Sequence, residues 1–502
     1  ILSASGWRKI FTQSQHEEDL DPEVSVTDRY LAAIAAEAFY RERQPSSVII
    51  GLDTRPTGAR LADVVCRILC AHEVTIRHLF ICAAPEIMAY SALHEQDDFF
   101  YITASHNPAG HNGFKFGKAG GVIEAGEAKQ VIETFRTLLA NRDTPRLIRQ
   151  LSASVDTDRY AKVLDQIPHE KMEALAAYER LSLDIATDSH DEIAYGDLIA
   201  TIRKDLAHHP IGIVGELNGS ARAMSIDSQF LSGLGVKTRF INTIPGRFTH
   251  PIVPEGPNLE LCRSALQASH AEDRSFILGY VPDADGDRGN IVYYDDELQQ
   301  TMILGAQQLF ALVASIELTL EHDETKPQAI VVNGPTSLMI DAIASRLGVK
   351  VFRAEVGEAN VVQLANQVRE EGYTVRILGE GSNGGNITHP GKVRDPLNTL
   401  VSLIKLLSSP DRFTRITGSN QEPSLHRAID LLPKRTITGA FSEEAIMRIG
   451  TTNHGLLKDA YERYVMSDYV HRAKELRQRF GICGWYEEQT EGTVRRIGTG
   501  TA

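Results

Sequence analysis

A chain of 502 residues is longer than one hydrophobic core supports, so three or four domains are expected at very roughly 100–200 residues each. An apolar content of 42% excludes disorder, and with no apolar run near the ~20 residues of a membrane span and no leader-like start, a cytoplasmic protein without a membrane partner is expected. The net charge of −14 without a dense basic tract disfavours a nucleic-acid partner, although local arginines and helix N-termini can still gather a small anion.

In chain order, Ser47 to Leu52 reads as a strand, followed by the turn Asp53 to Gly58. A helix is predicted from Ala59 to Cys70, with Leu61, Val64, Val65, Ile68 and Leu69 on one side. Thr75 to Ile81 and Asp98 to Thr103 are further strands, the second running into Ala104-Ser105-His106-Asn107-Pro108. Such alternation implies a doubly wound α/β unit, whose ligands gather at the carboxyl ends of strands. Asp156 to His209 reads as mostly helical and polar, a bridge to the next unit. There, strands at Pro210 to Val214, Val236 to Ile241 and Ser275 to Val281 flank a helix from Ala223 to Leu234 and deliver an acidic loop at Asp283. A third unit opens with a helix over Met302 to Leu320, followed by the strand Ala329 to Asn333 and a helix from Leu338. The strand Thr374 to Leu378 then runs into Gly379-Glu380-Gly381-Ser382. Loops of chemical interest after equivalent strands suggest internal duplication. Ser408-Ser409-Pro410 and Gly418-Ser419-Asn420 mark a linker zone over Lys405 to Pro423, beyond which a smaller region ends in Arg495 to Thr501. The cysteines (Cys66, Cys70, Cys82, Cys262, Cys483) lack zinc-site spacing and read as reduced thiols.

Four loops carry possible chemistry. In Thr103 to Pro108, Ser105 stands at a strand end beside His106 and Asn107, and a serine can carry a phosphoryl group covalently. Nearby Lys115 could neutralise phosphate charge or act as a general base with a lowered pKa. The plain alternative is a turn in which Ser105 and Asn107 only bond backbone. In Asp283-Ala284-Asp285-Gly286-Asp287-Arg288, three carboxylates can converge on a hard cation because Gly286 lets the chain turn. An EF-hand fails here, since its sixth and twelfth positions would be Arg288 and Tyr294. Glu380 and Ser382 can hold vicinal hydroxyls, while a serine-hydrolase elbow fails because Glu380 stands where that motif needs its first glycine. Arg495 to Thr501 combines guanidinium with backbone N–H groups, a natural phosphate clamp or else a polar tail.

Together and in this order, these loops resemble those of the α-D-phosphohexomutase family, over nearly the whole chain. Ser5-Gly6-Trp7-Arg8 is similar to the family's N-terminal arm and Gly51 to Arg55 to its first strand and turn. The resemblance implies three doubly wound α/β domains with mixed sheets plus a smaller C-terminal α+β domain around a central cleft. The boundaries expected are 1–190, 191–303, 304–418 and 419–502. It implies phosphoryl transfer between O1 and O6 of a hexose through phosphorylated Ser105, with His106, Lys115 and Arg8 in the catalytic set. Mg²⁺ would be held by Ser105, Asp283, Asp285 and Asp287. Arg288, Glu380, Ser382, Arg495, Gly498 and Thr499 would bind a hexose phosphate, and a hexose 1,6-bisphosphate would serve as activator. Glucose is the sugar expected from Glu-x-Ser-x-Gly at 380–384 and Gly-Thr-Gly at 498–500; mannose or glucosamine phosphate, or a weakened sugar-phosphate-binding homologue, are the alternatives. Three departures stand out. Ala359 falls where the family places a basic residue or histidine, Ile497 replaces a phosphate-binding serine, and Ala502 ends the chain soon after the last loop.

Overall fold

The computed structural model describes the chain apart from residues 1, 4–5, 321–324, 382–384, 435–453, 461–462, 465–470, 482–483 and 502, and gives the backbone alone for 454–455, 458, 476, 480, 484–491 and 496–501. Three mixed sheets flanked by helices make up most of it. The central strands Ser47–Leu52, Asp98–Ile102, Gly212–Glu216 and Gln328–Asn333 are buried almost throughout, as continuous apolar strands must be when helices cover both faces.

One strand order recurs in all three sheets. In the first it runs His111–Lys118, Asp98–Ile102, Ser47–Leu52, Thr75–Ile81; in the second, Gly289–Asp295, Phe276–Pro282, Gly212–Glu216, Lys237–Ile241. In the third it runs Gly385–Thr388, Thr374–Glu380, Gln328–Asn333, Lys350–Ala354. Each time the last three strands are parallel and the first is antiparallel to its neighbour. The loops at Thr103, at Asp283 and after Glu380 therefore connect equivalent pairs of strands in the three sheets. The expected duplication is visible in topology, where side chains have diverged.

Two sequence expectations are corrected. Residues 302–303 do not begin a helix: Gln300–Ile303 is a strand paired with Val292–Asp295, and the helix runs over Ala306–Leu320. Strand pairing outweighs the apolar periodicity there, with the Thr301 N–H also donating to Gln267 at 2.8 Å. The supposed linker zone is folded too. Ser409 caps the helix Pro410–Thr417 at its N-terminus, Gly418 closes it at φ 74°, and Phe413 is fully buried. Its Ser, Pro and Gly residues are helix-end signals, not linker signals. Phe413→Ala should accordingly cost about 3–5 kcal/mol in urea denaturation, whereas a residue in a solvated linker would cost almost nothing.

The bridge comprises the helices Thr157–Thr187 and Glu192–His208. Their inner faces, with Tyr178 and Ile202, join a core continuous with the second and third sheets. Among the described residues, no helix is long and apolar enough to cross a membrane. Cys66, Cys70, Cys82 and Cys262 are buried free thiols, while Cys483 lies outside the described residues.

Candidate active site

The Ser105 loop is held from below. Buried Arg55 donates to the carbonyls of Ser105 and Asn107 (2.6 Å each) and of Pro108 (2.5 Å), and its Nε meets Asp53 at 3.1 Å. One guanidinium thus satisfies the inward carbonyls that the turn cannot pair itself. The Ser105 N–H donates to Thr103 Oγ1 at 2.9 Å, and Ser105 sits in the left-handed region at φ 54°. That rare conformation aims its hydroxyl out of the turn. Ser105 Oγ lies 3.2 Å from Asp283 Oδ2 and 3.4 Å from His106 Nδ1.

The acidic loop meets it face to face. Gly286 takes φ 69°, and a Cβ there would come within 2.8 Å of Arg222 Cγ, so the turn requires glycine. Arg222 Nε donates to the Gly286 carbonyl at 2.9 Å. Asp283, Asp285 and Asp287 are buried, and one carboxylate oxygen from each lies within 4.8 Å of the other two. One oxygen each of Asp285 and Asp287 has no hydrogen-bond partner. A buried, all-oxygen set with spare acceptors fits a hard divalent cation. Burial, then the neighbouring Asp285 and Asp287, hold the Asp283 carboxyl well above the usual range. Burial also penalises charge on Asp287, but Arg394, Lys115 and Arg288 outweigh it and keep that carboxyl low.

Cations converge on the same point. Lys115, on the strand His111–Lys118, donates to Asp285 at 2.8 Å and reaches Asp287 at 3.5 Å. The lowered ammonium pKa expected for Lys115 is not met: burial pulls it down, but Asp285 and Asp287 raise it above its ordinary value. His106 goes the other way, pushed to about 3 by burial and then by Arg288 and Arg8, so its ring is neutral. Glu380 ends the strand Thr374–Glu380 and accepts from the Gly357 N–H at 2.8 Å and from Asn333 at 2.9 Å. Arg394 joins the two halves, reaching Asp287 at 3.1 Å, Glu358 at 3.1 Å and Glu380 at 3.4 Å.

Arg8, Ser105, Lys115, Arg288, Glu380 and Arg394 line one cavity of about 290 Å³, together with Ser3, Val122 and residues 356–359. Of the residues singled out in the sequence, Ser5 and Ser382 lie outside the described residues. Arg495 and the backbone of Gly498 and Thr499 belong to a strand, Val494–Thr501, paired with Gly484–Glu491, where a loop was expected. The turn of that hairpin bonds to Glu355, next to the cavity wall (Glu355 N–H to Gly492 O, 2.8 Å; Gly492 N–H to Glu355 Oε2, 2.6 Å). Arg55 and Arg394 were not foreseen as site residues. For Arg394 the available signal was its place just before Asp395-Pro396, a helix start following a strand.

A second loop, Asn242 to Glu255, supports both turns from behind, packing Phe248 and Ile252 on Ala109 and Ala284. His250 anchors it, with Nε2 2.7 Å from Glu216 and Nδ1 2.8 Å from the Pro251 carbonyl. These two partners are acceptors and favour the doubly protonated ring, while the Asn218 amide nitrogen also lies 3.3 Å from Nδ1. Burial opposes this, but the bonds from Glu216 and Pro251 raise the His250 pKa. A raised folded-state pKa gives stability that is complete below the unfolded value of about 6.5 and lost as pH rises through the folded value. The melting-temperature gap between the wild type and His250→Gln should therefore be larger at about pH 6 than at about pH 9.

Comparisons with known proteins bear on the family and the fold. The sequence model described as phosphoglucomutase/phosphomannomutase, alpha/beta/alpha domain I, matches residues 2–141, and that for domain III matches residues 306–422. A probable phosphoglucosamine mutase of Methanopyrus kandleri is 26% identical over 360 residues, covering 72% of this chain and 68% of the relative. A phosphoglucomutase/phosphomannomutase of Thermococcus kodakarensis is 26% identical over 377 residues, covering 74% and 71%. In fold, the chain is similar to the open form of the Paramecium phosphoprotein pp63/parafusin, with TM-score 0.61, 14% identity and 99% and 84% of the two chains covered. It is also similar to a Burkholderia thailandensis phosphoglucomutase/phosphomannomutase family protein, with TM-score 0.58, 19% identity and 87% and 80% covered. With the two family models together taking in just over half of the chain, it belongs to the α-D-phosphohexomutase family of intramolecular phosphotransferases.

Proposed function

We propose that this chain interconverts hexose 1-phosphate and hexose 6-phosphate through a phosphoryl group carried on Ser105. The observation supporting this is the meeting of Ser105 Oγ and Asp283 at 3.2 Å, although the two lie 178 positions apart. In the first transfer the P–Oγ bond of phosphorylated Ser105 breaks as a bond forms from phosphorus to the free sugar hydroxyl, which gives up its proton while Ser105 Oγ takes one up to become the hydroxyl again. In the second, the other phosphate of the bisphosphorylated sugar passes back to Ser105 Oγ. Splitting the exchange in this way makes each step a simple displacement.

Arg8, Lys115 and Arg288 place positive charge around the transferring group, and neutral His106 offers a hydrogen bond without adding charge. Glu380, and Ser382 beside it, would orient the sugar hydroxyls. Arg495, Gly498 and Thr499 would hold the phosphate that is not reacting. Magnesium is the proposed cation, held by Asp283, Asp285 and Asp287; when bound it supplies charge opposite the phosphoryl oxygens. A hexose 1,6-bisphosphate would load Ser105. Glucose 1-phosphate is the substrate read from the sequence, and the names of the relatives put glucosamine and mannose 1-phosphates beside it.

The test is mass spectrometry after incubation with glucose 1,6-bisphosphate and Mg²⁺, with coupled turnover of the three 1-phosphates measured in parallel. A gain of about 80 Da on the Ser105 peptide is expected. Absence of that phosphopeptide together with no turnover on any sugar would sink the reading.

A further inference from the structure

The attacking sugar hydroxyl must give its proton to something, and few groups around the cavity can receive it. Arg8, Arg288 and Arg394 line the cavity as permanent cations. Lys115 is a cation too, because its burial is outweighed by Asp285 and Asp287. His106 is neutral, but a ring pushed to about 3 by burial and then by Arg288 and Arg8 holds a proton poorly. Ala359 has only a methyl group to offer. Two carboxylates remain among the lining residues, Glu380 and Glu358.

Glu380 is committed elsewhere. Its Oε1 accepts from the Gly357 N–H and from Asn333, and its Oε2 lies 3.4 Å from Arg394. Glu358 is freer. Its Oε2 lies 3.1 Å from Arg394 Nε and 3.5 Å from the Arg394 main-chain nitrogen, while Oε1 makes no hydrogen bond among the described residues. The side chain is 12% exposed, enough for a ligand in the cavity to touch it. Its place is set from the sugar-facing side. Gly357, at φ 126°, starts the helix Glu358–Glu370 and ties it to Glu380 through its N–H. Arg394 holds Glu358 by Nε and Glu380 by Nη1, so the two carboxylates are neighbours, and a hydroxyl oriented by Glu380 is presented to Glu358. Burial holds the Glu358 carboxyl above its ordinary value; Asp287 and Glu380 add to this, and Arg394 and Lys115 oppose it. A carboxyl shifted in that direction is better matched to proton exchange near neutrality.

We propose that Glu358 is a further catalytic residue, the group that receives the proton of the attacking sugar hydroxyl and later returns it. In the first transfer the hydroxyl oxygen bonds to phosphorus as its proton passes to Glu358. The P–Oγ bond breaks with its electron pair going to Ser105 Oγ, which takes a proton from water. In the second transfer the Ser105 hydroxyl bonds to the other phosphorus and gives its proton to water, and the sugar oxygen that leaves takes back the proton held on Glu358. The carboxylate is regenerated in each cycle. This deepens the mutase reading above and rests on it.

The test is the pH profile of kcat and KM from about pH 5 to about pH 9 for the wild type, Glu358→Gln and Glu358→Asp. Glucose 1,6-bisphosphate and Mg²⁺ are present throughout, with glucose, glucosamine and mannose 1-phosphates each supplied in turn. Glu358→Gln keeps an oxygen for Arg394 but cannot take up the proton, so kcat should fall about a hundredfold or more while KM moves by less than about threefold. Wild-type kcat should level off at alkaline pH, once the carboxyl is ionised. In Glu358→Gln it should go on rising, as hydroxide takes the proton instead. Glu358→Asp keeps the charge beside Arg394 but withdraws it by one methylene, so it should keep the level profile at about a tenth of the rate. That variant carries the test if Glu358→Gln does not fold. A kcat within about threefold of wild type in either variant, or a Glu358→Gln profile of wild-type shape, would overturn the assignment. The second of these is what a residue that only positions Arg394 would give. Failure of the mutase reading would look different, as no turnover of any of the three sugars by the wild type itself, and would take this assignment with it.

Discussion

Ser105→Ala is expected to lower turnover by about three to six orders of magnitude, with the fold intact. The hydroxyl it removes is the atom that would exchange the phosphoryl group, and no neighbour can replace it. His106 is neutral and 3.4 Å away, and the nearest carboxylate, Asp283, faces a crowd of like charge. The support beneath the loop does not depend on the Ser105 side chain. Arg55 holds the main-chain carbonyls, and the Ser105 N–H donates to Thr103. The melting temperature should therefore stay close to that of the wild type while the 80 Da phosphopeptide disappears. Activity above a tenth of wild type in the coupled assay would rule out a covalent route through this residue.

Arg222→Ala is expected to lower stability by about 3–5 kcal/mol and activity with it. Its guanidinium is fully buried and donates to the Tyr178 hydroxyl (2.6 Å), Asp395 (2.5 Å), the Gly286 carbonyl (2.9 Å) and, at 3.3 Å, Asp227. Tyr178 and Tyr280 complete the network by donating to Asp395 and Asp227. Without the cation, two carboxylates remain buried and uncompensated, the costly half of a broken ion pair. Burial already raises the Asp395 pKa against the pull of Arg222, so the variant should take up a proton there. Activity should fall too, because Gly286 sits inside the acidic loop. Denaturant melts of Arg222→Met with Asp227→Asn and Asp395→Asn should recover much of the loss; no recovery would mean that the damage lies in packing and not in charge.

The parts of the site legible in the sequence are those written contiguously. Ser105, the three aspartates and Glu380 each sit in a short loop after an apolar strand, and the turn chemistry of Pro108 and Gly286 marks those loops. The arginines that organise them are scattered. Arg394 meets Asp287 across 107 positions and Arg222 meets Asp395 across 173, so no local window contains both partners. The same distance explains Lys115: its desolvation could be foreseen, but the carboxylate that reverses its effect comes from 170 residues away. In the fold, the parallel strands were legible because they are uniformly apolar. The start of the helix at Ala306 was not, because Met302 and Ile303 suit either period until their pairing partner is known.

The buried arginines also decide which parts of the molecule travel together. Arg222 fastens the long helix Thr157–Thr187 to the second and third sheets, and Arg376 repeats the fastening through Ile185, Asp188 and Glu317. Sliding one sheet past another would expose several charges at once, so these three behave as a single floor. The terminal hairpin meets the described remainder chiefly along the edge strand Lys350–Ala354 and at Glu355. The Gly492 turn is therefore the point at which this hairpin is tied to the chain beside the cavity wall, through two bonds to Glu355.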